Sequence, residues 1–163
     1  MKYDKIKFKN AVLYLAKYGG PNVGKKKLAK LLYLIDFTIY ELRKKSLTGM
    51  GYTKQNYGPM PEPKVFYNAL NELKKAKVID IKEPGPNRLE KIVPNNEPDM
   101  EVFDEQEKEI LDEITQKYRL ENGGDLERLA QSEPPYKMVE HGENIPYYLA
   151  FYRNSFGEMD LDD

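Results

Sequence analysis

The stretch that decides the fold is KLLYLIDFTIYEL, residues 30–42. Apolar side chains recur in it at helical spacing, and the opposite side of the same helix is also apolar. A helix that is apolar nearly all round is buried on every side. The sequence therefore predicts a central helix over residues 24–45, against which the rest of the chain packs. Its main stripe is Leu28, Leu31, Leu32, Ile35, Ile39 and Leu42, and its other side is Tyr33, Leu34, Phe37 and Tyr40.

One acidic residue, Asp36, interrupts this apolar stretch. An ionised carboxylate that is buried without a partner is strongly destabilising, so Asp36 must be paired, hydrogen-bonded or directed into a groove. Two interpretations stay open. In the first, the carboxylate has a structural role: it caps the loop at residues 46–51, or it contacts a lysine or a tyrosine hydroxyl. In the second, it takes part in binding a partner.

The rest of the first half predicts two further helices and one hairpin. Glycines and prolines exclude a long helix between residues 46 and 63, where Tyr52 and Tyr57 flank a short extended segment. A helix followed by a hairpin is the layout of a winged helix. The predicted elements are a helix over residues 4–18, a helix that starts after Pro61, and strands over residues 78–81 and 89–93 with a turn at residues 84–87.

The second half predicts short helices. Asp104 followed by Glu107 is typical of a capping box at a helix start. We expect Asn122, Gly123 and Gly124 to end that helix, and the acidic side chains to lie on solvated faces. A short helix is predicted over residues 125–131, and Pro134 and Pro135 should interrupt the helical structure after it. A last short helix is predicted around residues 146–152, followed by a frayed tail over residues 157–163.

The predicted fold class is mainly α with a small β-hairpin, a compact helical domain with winged-helix-like order in its first half. We expect one domain over residues 1–163, with a basic half over 1–95 and an acidic helical half over 100–153. Residues 1–95 carry 20 Lys and Arg against 8 Asp and Glu, and residues 96–163 carry 6 against 19. Either the two halves neutralise each other, or the basic half has an anionic partner.

Composition narrows the cellular setting and the chemistry. The chain has no cysteine, so disulfides and thiolate chemistry are excluded. No apolar run has the length of a membrane span, and we expect no signal peptide, no membrane association and a cytoplasmic location. The one histidine, His141, has no second ligand nearby in sequence, and the glycines and lysine at residues 19–25 lack the preceding strand of a phosphate-binding loop. We therefore expect a non-enzymatic protein with no catalytic residues, no metal and no cofactor.

Several short motifs in fixed order carry a resemblance to a known family. They are KLLYLIDF at residues 30–37, a threonine-glycine loop at Thr48 and Gly49, Tyr52, and YGPMP at residues 57–61. In this order they resemble the Panacea antitoxin family, the phage-associated, SocA-like domain. A later stretch, LAQSEPPY at residues 129–136, resembles the family's late motif, with Gln131 in place of a histidine and Tyr136 in place of a tryptophan.

The resemblance implies an antitoxin of a toxin–antitoxin pair, mainly helical and without enzymatic activity, that neutralises a cognate protein toxin by direct contact. We expect the acidic segment, residues 97–133, to mimic nucleic acid if the toxin is basic. The chain's 13 tyrosines suit an interface, and self-association into a homo-oligomer stays open. The candidate partner-binding residues are Tyr33, Asp36, Tyr52, Tyr57, Gly58, Pro59 and Pro61.

The alternative is a winged-helix-like DNA-binding regulator, which could also repress its own operon. This alternative is based on the order of helix and hairpin and on the positive charge of the first half. The candidate nucleic-acid-binding residues are Lys64, Lys74, Lys75, Lys77, Lys82, Arg88 and Lys91.

Overall fold

The computed structural model describes residues 2–86 and 89–153. Within them the chain forms six α-helices, two β-hairpins and two 3₁₀ helices, which confirms a mainly α fold with small β-hairpins. The elements are α1 (Lys5–Tyr18), α2 (Lys25–Arg43), β1 (Tyr52–Gln55), β2 (Gly58–Pro61), α3 (Pro63–Lys75), β3 (Ile79–Lys82), β4 (Lys91–Pro94), α4 (Glu105–Tyr118), α5 (Gly123–Ser132) and α6 (Pro134–Lys137), with 3₁₀ helices at Met100–Val102 and Tyr147–Tyr152.

Helix α2 is the centre of the molecule, as its apolar circumference predicts. Every residue from Lys27 to Phe37 is buried. The helix contacts α1, α4, α5, β2 and the C-terminal 3₁₀ helix. It ends at Lys44, which adopts a left-handed conformation with φ of 58°. Burial of each leucine or phenylalanine on this helix contributes about 1.5–3 kcal/mol to the free energy of unfolding. Because elements from both halves pack on α2, the same apolar surface stabilises both.

Between α2 and α3 the chain forms a hairpin, where the sequence predicted only a short extended segment. Strand β1 pairs antiparallel with β2, and the turn lies at Asn56 and Tyr57. Two of the four residues in β2 are Pro59 and Pro61, which cannot donate to a ladder and are tolerated at a sheet edge. The backbone of residues 142–145 forms hydrogen bonds with the other side of β1, so β2 lies at the edge of this small sheet.

The second hairpin forms as predicted, one or two residues later in the chain than the expected strands. Ile79 and Ile81 of β3 are buried, whereas Asp80 and Lys82 are exposed. Helix α3 and this hairpin follow each other in winged-helix order. However, the first hairpin separates α2 from α3, so these two helices do not form the short helix-turn-helix of DNA-binding winged helices.

The second half confirms one predicted helix start and the predicted end of a helix before Pro134, and it corrects the role predicted for Asn122. The capping box of Asp104 and Glu107 is present in both directions. Asn122 begins α5 rather than ending α4, because its side chain accepts a hydrogen bond from the Asp125 N–H. Pro134 opens α6, since the first turn of a helix needs no N–H from that position. The predicted tail over residues 157–163 lies outside the described residues.

Ion pairs join the basic half to the acidic half. Of the two interpretations of the charge asymmetry, mutual neutralisation is therefore observed. The pairs that cross between the halves are Lys7–Glu107, Lys17–Glu97, Lys26–Glu127, Arg43–Asp104, Arg43–Glu107 and Glu41–Arg153.

Glu107 corrects the expectation that the acidic side chains of α4 are all solvated. Its side chain is 0% exposed, and it accepts from Lys7 Nζ at 2.8 Å and from Arg43 Nη2 at 2.7 Å. A carboxylate is stable at such a buried position only with cationic partners. Glu107 thus ties α4 to α1 and α2.

Candidate functional site

Asp36 is wholly buried and is fixed by the loop that follows its own helix. Its Oδ1 accepts from the Thr48 N–H at 2.8 Å, and its Oδ2 accepts from Thr48 Oγ1 and Tyr52 Oη, both at 2.6 Å. Burial raises the pKa of Asp36 to about 6, and the hydrogen bonds from Thr48 and Tyr52 limit that rise. Of the two sequence-based interpretations, the structure shows loop capping with a tyrosine hydroxyl.

Most of the candidate partner-binding residues lie inside the molecule. Six of the seven are buried in the folded chain. Tyr57 is the exception, because its side chain at the tip of the first hairpin is 42% exposed. The buried residues are Tyr33, Asp36, Tyr52, Gly58, Pro59 and Pro61, and together they form the support beneath that tip.

Two side chains from the second half hold the hairpin tip from behind. Gln131 Nε2 donates to the Asn56 carbonyl at 3.0 Å, and Tyr136 Oη donates to the Gln55 carbonyl at 2.7 Å. The ring of Tyr136 also lies under Lys54 Nζ, 4.4 Å from its centroid. We call this arrangement of Gln131 and Tyr136 on the two carbonyls the clasp.

A second buried network joins α2 to the end of the described chain. Tyr33 Oη donates to Glu133 Oε1 at 2.8 Å, and Arg153 Nε donates to the same oxygen at 3.1 Å. Arg153 is 5% exposed, and its Nη1 also donates to Thr38 Oγ1 at 2.9 Å. Burial and the Glu133 carboxylate raise the pKa of the Tyr33 hydroxyl well above its ordinary value. Tyr33 therefore acts here as a hydrogen-bond donor in the core.

A cleft of about 470 Å³ opens beside Tyr57, between the start of α2, the first hairpin and α3. Its walls carry two half-exposed tyrosines, Tyr57 at 42% and Tyr67 at 41%. Lys30, only 1% exposed, lies at its back, and its Nζ is 5.5 Å from the centroid of the Tyr57 ring. Burial lowers the pKa of Lys30 to about 8, partly offset by the nearby Glu127 carboxylate. The other lining residues are Lys25, Lys26, Ala29, Met60 and Glu90.

The candidate nucleic-acid-binding residues lie on a different surface, formed by α3 and the second hairpin. Lys82 and Lys91 stand directly opposite each other across the β3–β4 ladder. Arg88 lies outside the described residues. The other six are exposed and form no ion pair with any described residue: Lys64, Lys74, Lys75, Lys77, Lys82 and Lys91.

Sequence reasoning missed Lys30 and the clasp. A lysine inside an apolar helix is the same signal that drew attention to Asp36, so Lys30 could have been found in the same way. The clasp could not, because it depends on contacts between elements that are distant in sequence. Among the described residues, no group of histidine, cysteine or acidic side chains is arranged to hold a metal ion, and no helix is long and apolar enough to cross a membrane.

The chain matches the family model described as antitoxin SocA-like, Panacea domain, over residues 28–137. That range runs from the first turn of α2 to the end of α6, and it includes Asp36, the first hairpin and the clasp. No curated protein and no solved structure gives a significant match. Because the family model covers well over half of the chain, this protein belongs to the family described as antitoxin SocA-like, Panacea domain.

Proposed function

We propose that this protein is an antitoxin that neutralises a protein toxin in the cytoplasm by binding it, without catalysis. The observation that carries the proposal is the pair of half-exposed tyrosines, Tyr57 and Tyr67, beside a cleft in a protein of an antitoxin family. Tyrosines are enriched at the centres of protein interfaces, because their large rings lose little entropy when they are fixed.

The support behind Tyr57 favours this surface over other exposed apolar positions. The hairpin that carries Tyr57 is anchored on one side by Asp36, through Tyr52, and on the other by the clasp. A binding residue on a preorganised turn loses less freedom when the complex forms. The proposed interface is therefore the tip of the first hairpin together with the exposed face of α3 at Tyr67.

Co-expression with the product of the adjacent gene tests the proposal. We expect the wild-type protein to restore growth and to co-purify with the toxin. Tyr57→Ala combined with Tyr67→Ala should abolish both effects, whereas Tyr148→Ala should abolish neither, because Tyr148 is 57% exposed but lies outside the proposed interface. Unchanged toxicity with the wild-type protein, and no co-purification, would refute the proposal.

The acidic segment, residues 97–133, is a weaker candidate for a toxin-binding surface than the first hairpin and α3. Several of its carboxylates are used in ion pairs with the basic half, and Glu107 is buried. The exposed face of α4 nevertheless retains Glu109, Asp112 and Glu113, which form no ion pair among the described residues. If this face mimics nucleic acid, reversing these three charges should weaken toxin binding, and the loss should be smaller at high salt.

DNA binding is the second candidate function, and the lysine pair on the second hairpin favours it. Like charges directly opposite each other in a ladder are destabilising, so stability does not explain why Lys82 faces Lys91. Phosphate contacts would explain it, and such binding weakens steeply with salt. A gel shift with the protein's own promoter should show binding at low salt that Lys82→Gln with Lys91→Gln reduces. Absence of any shift at low salt would eliminate this candidate.

A further inference from the structure

The cleft beside Tyr57 holds more positive than negative charge. Lys25 is matched by Glu90, whose Oε1 accepts from the Lys25 N–H at 2.7 Å and whose Oε2 lies 3.4 Å from Lys25 Nζ. Lys26 is matched by Glu127, with Nζ and Oε1 3.1 Å apart. Lys30 has no such match among the described residues. One cationic group of the cleft therefore remains uncompensated.

The uncompensated group is also the most deeply buried of the three lysines. Lys30 Nζ donates to the Pro59 carbonyl at 3.0 Å. An ammonium group has three N–H donors, and among the described residues this is the one hydrogen bond that they form. A buried ammonium with unused donors is unfavourable, and burial accordingly lowers the pKa of Lys30 to about 8. The folded chain thus keeps at the back of an open cleft a cation that an added anion would stabilise.

The surroundings restrict the kind of anion. Glu90 lines the cleft and Glu127 interacts with Lys30, so a dianionic phosphate would meet two carboxylates. A carboxylate carries one charge and matches the surplus of one. The rings of Tyr57 and Tyr67 beside it suit the methylene groups of a side chain rather than bare solvent.

We propose that this cleft receives the carboxylate of an aspartate or glutamate side chain of the protein partner, with Lys30 as its cationic anchor and Tyr57 and Tyr67 as its walls. That the partner is a protein rests on the proposed function. The preference of the cleft for a carboxylate is independent of that function. Tyr57 lies over the Lys30 ammonium in the unliganded chain, so its ring shifts aside when the carboxylate enters.

The test is an NMR titration of the full chain that needs no toxin. The probes are N-acetyl-glutamate N-methylamide, the neutral glutamine analogue and inorganic phosphate. We expect saturable shifts at Ala29, Tyr57 and Tyr67 with the glutamate probe, with a dissociation constant on the order of millimolar for one ion pair at a partly open site. The glutamine probe should bind at least about tenfold more weakly.

Variants assign the binding to Lys30. Lys30→Met should abolish the response to glutamate and raise the melting temperature, because it removes a buried charge. Lys30→Gln serves as a second variant that keeps a donor for the Pro59 carbonyl. Lys9→Met is the matched control, because Lys9 is an exposed lysine outside the cleft, and this variant should bind the probe like the wild type.

The outcomes separate this inference from the proposed function. Equal shifts with the glutamate and glutamine probes, a retained response in both Lys30 variants, or tighter binding of phosphate would each overturn the carboxylate site. Toxin capture in cells together with any of these results would leave the antitoxin proposal standing. Specific glutamate binding without toxin capture would overturn the antitoxin proposal alone.

Discussion

At the scale of single residues, Asp36 and Lys30 are two buried charges of one helix with different environments. Thr48 in the loop after α2 and Tyr52 at the start of β1 donate three hydrogen bonds to Asp36. Lys30 donates one hydrogen bond, to the Pro59 carbonyl, and lies at the back of a cleft. Asp36 therefore organises the fold around the first hairpin, whereas Lys30 remains available to a ligand.

The pKa of Asp36 predicts an unusual dependence of stability on pH. Because its pKa in the folded protein, about 6, lies above the ordinary value of 3.8, the folded state holds the proton more tightly. This stabilisation is complete below pH 3.8 and is lost as the pH rises through 6, which amounts to about 3 kcal/mol. Asp36→Asn removes the titration. The free energy of unfolding of Asp36→Asn minus that of the wild type should therefore rise by about 3 kcal/mol between pH 3.8 and pH 7.5.

Urea denaturation at a series of pH values measures this difference. Asp80→Asn is the control, because Asp80 is exposed on β3 and its replacement should give no comparable trend. A difference between the wild type and Asp36→Asn that stays constant with pH would contradict the raised pKa of Asp36.

At the scale of elements, α4 depends on one carboxylate. Glu107→Ala leaves the Lys7 and Arg43 side chains, which are 19% and 22% exposed, without their shared partner. We expect a loss of about 3 kcal/mol in the free energy of unfolding, in the range for breaking a buried ion pair. Glu109→Ala, at an exposed position of the same helix, should change it by about 0.5 kcal/mol or less. Chemical denaturation of both variants measures the contrast, and equal effects would refute it.

The clasp predicts a local effect on the first hairpin. Tyr136→Phe with Gln131→Ala removes the donors to the Gln55 and Asn56 carbonyls and leaves the buried ring in place. We expect amide hydrogen exchange at residues 54–58 to become about tenfold faster or more, because two hydrogen bonds of about 1 kcal/mol each are lost. Ser132→Ala, whose hydroxyl bonds within its own helix, is the control. Unchanged exchange in the double variant would show that the strands alone hold the tip.

At the scale of the whole molecule, α2 joins the basic and acidic halves into one unit. Its buried surface is covered by α1 and β2 from the first half and by α4 and α5 from the second. A fragment of residues 1–95 would expose a large part of that surface to water. We predict that it does not fold alone, as judged by the absence of a cooperative thermal transition in circular dichroism. A cooperative transition in the fragment would instead show that residues 1–95 form a domain of their own.

How far the fold could be predicted from the sequence depends on the range of the interactions involved. Helix α2 and the Asp104 capping box are local, and their patterns are complete within a few residues of sequence. Strand β2 was missed because Pro59 and Pro61 argue against a strand unless its place at a sheet edge is known.

The buried charges were predictable only in part. Asp36 stood out against its apolar neighbours, and its partner loop follows directly in sequence. Glu107 did not stand out, because its burial depends on Lys7 and Arg43, which lie far away in the chain. The candidate residues named from the sequence include most of β2, but which residues of the first hairpin face outwards is a property of the tertiary packing.

The clasp has a consequence for how this protein can change over generations. Gln131 and Tyr136 bond to main-chain carbonyls, and every amino acid supplies the same carbonyl. The side chains at Asn56 and Tyr57 can therefore be exchanged by mutation while the turn keeps its shape. The chemistry of this exposed tip can thus change at two positions while the scaffold beneath it stays the same.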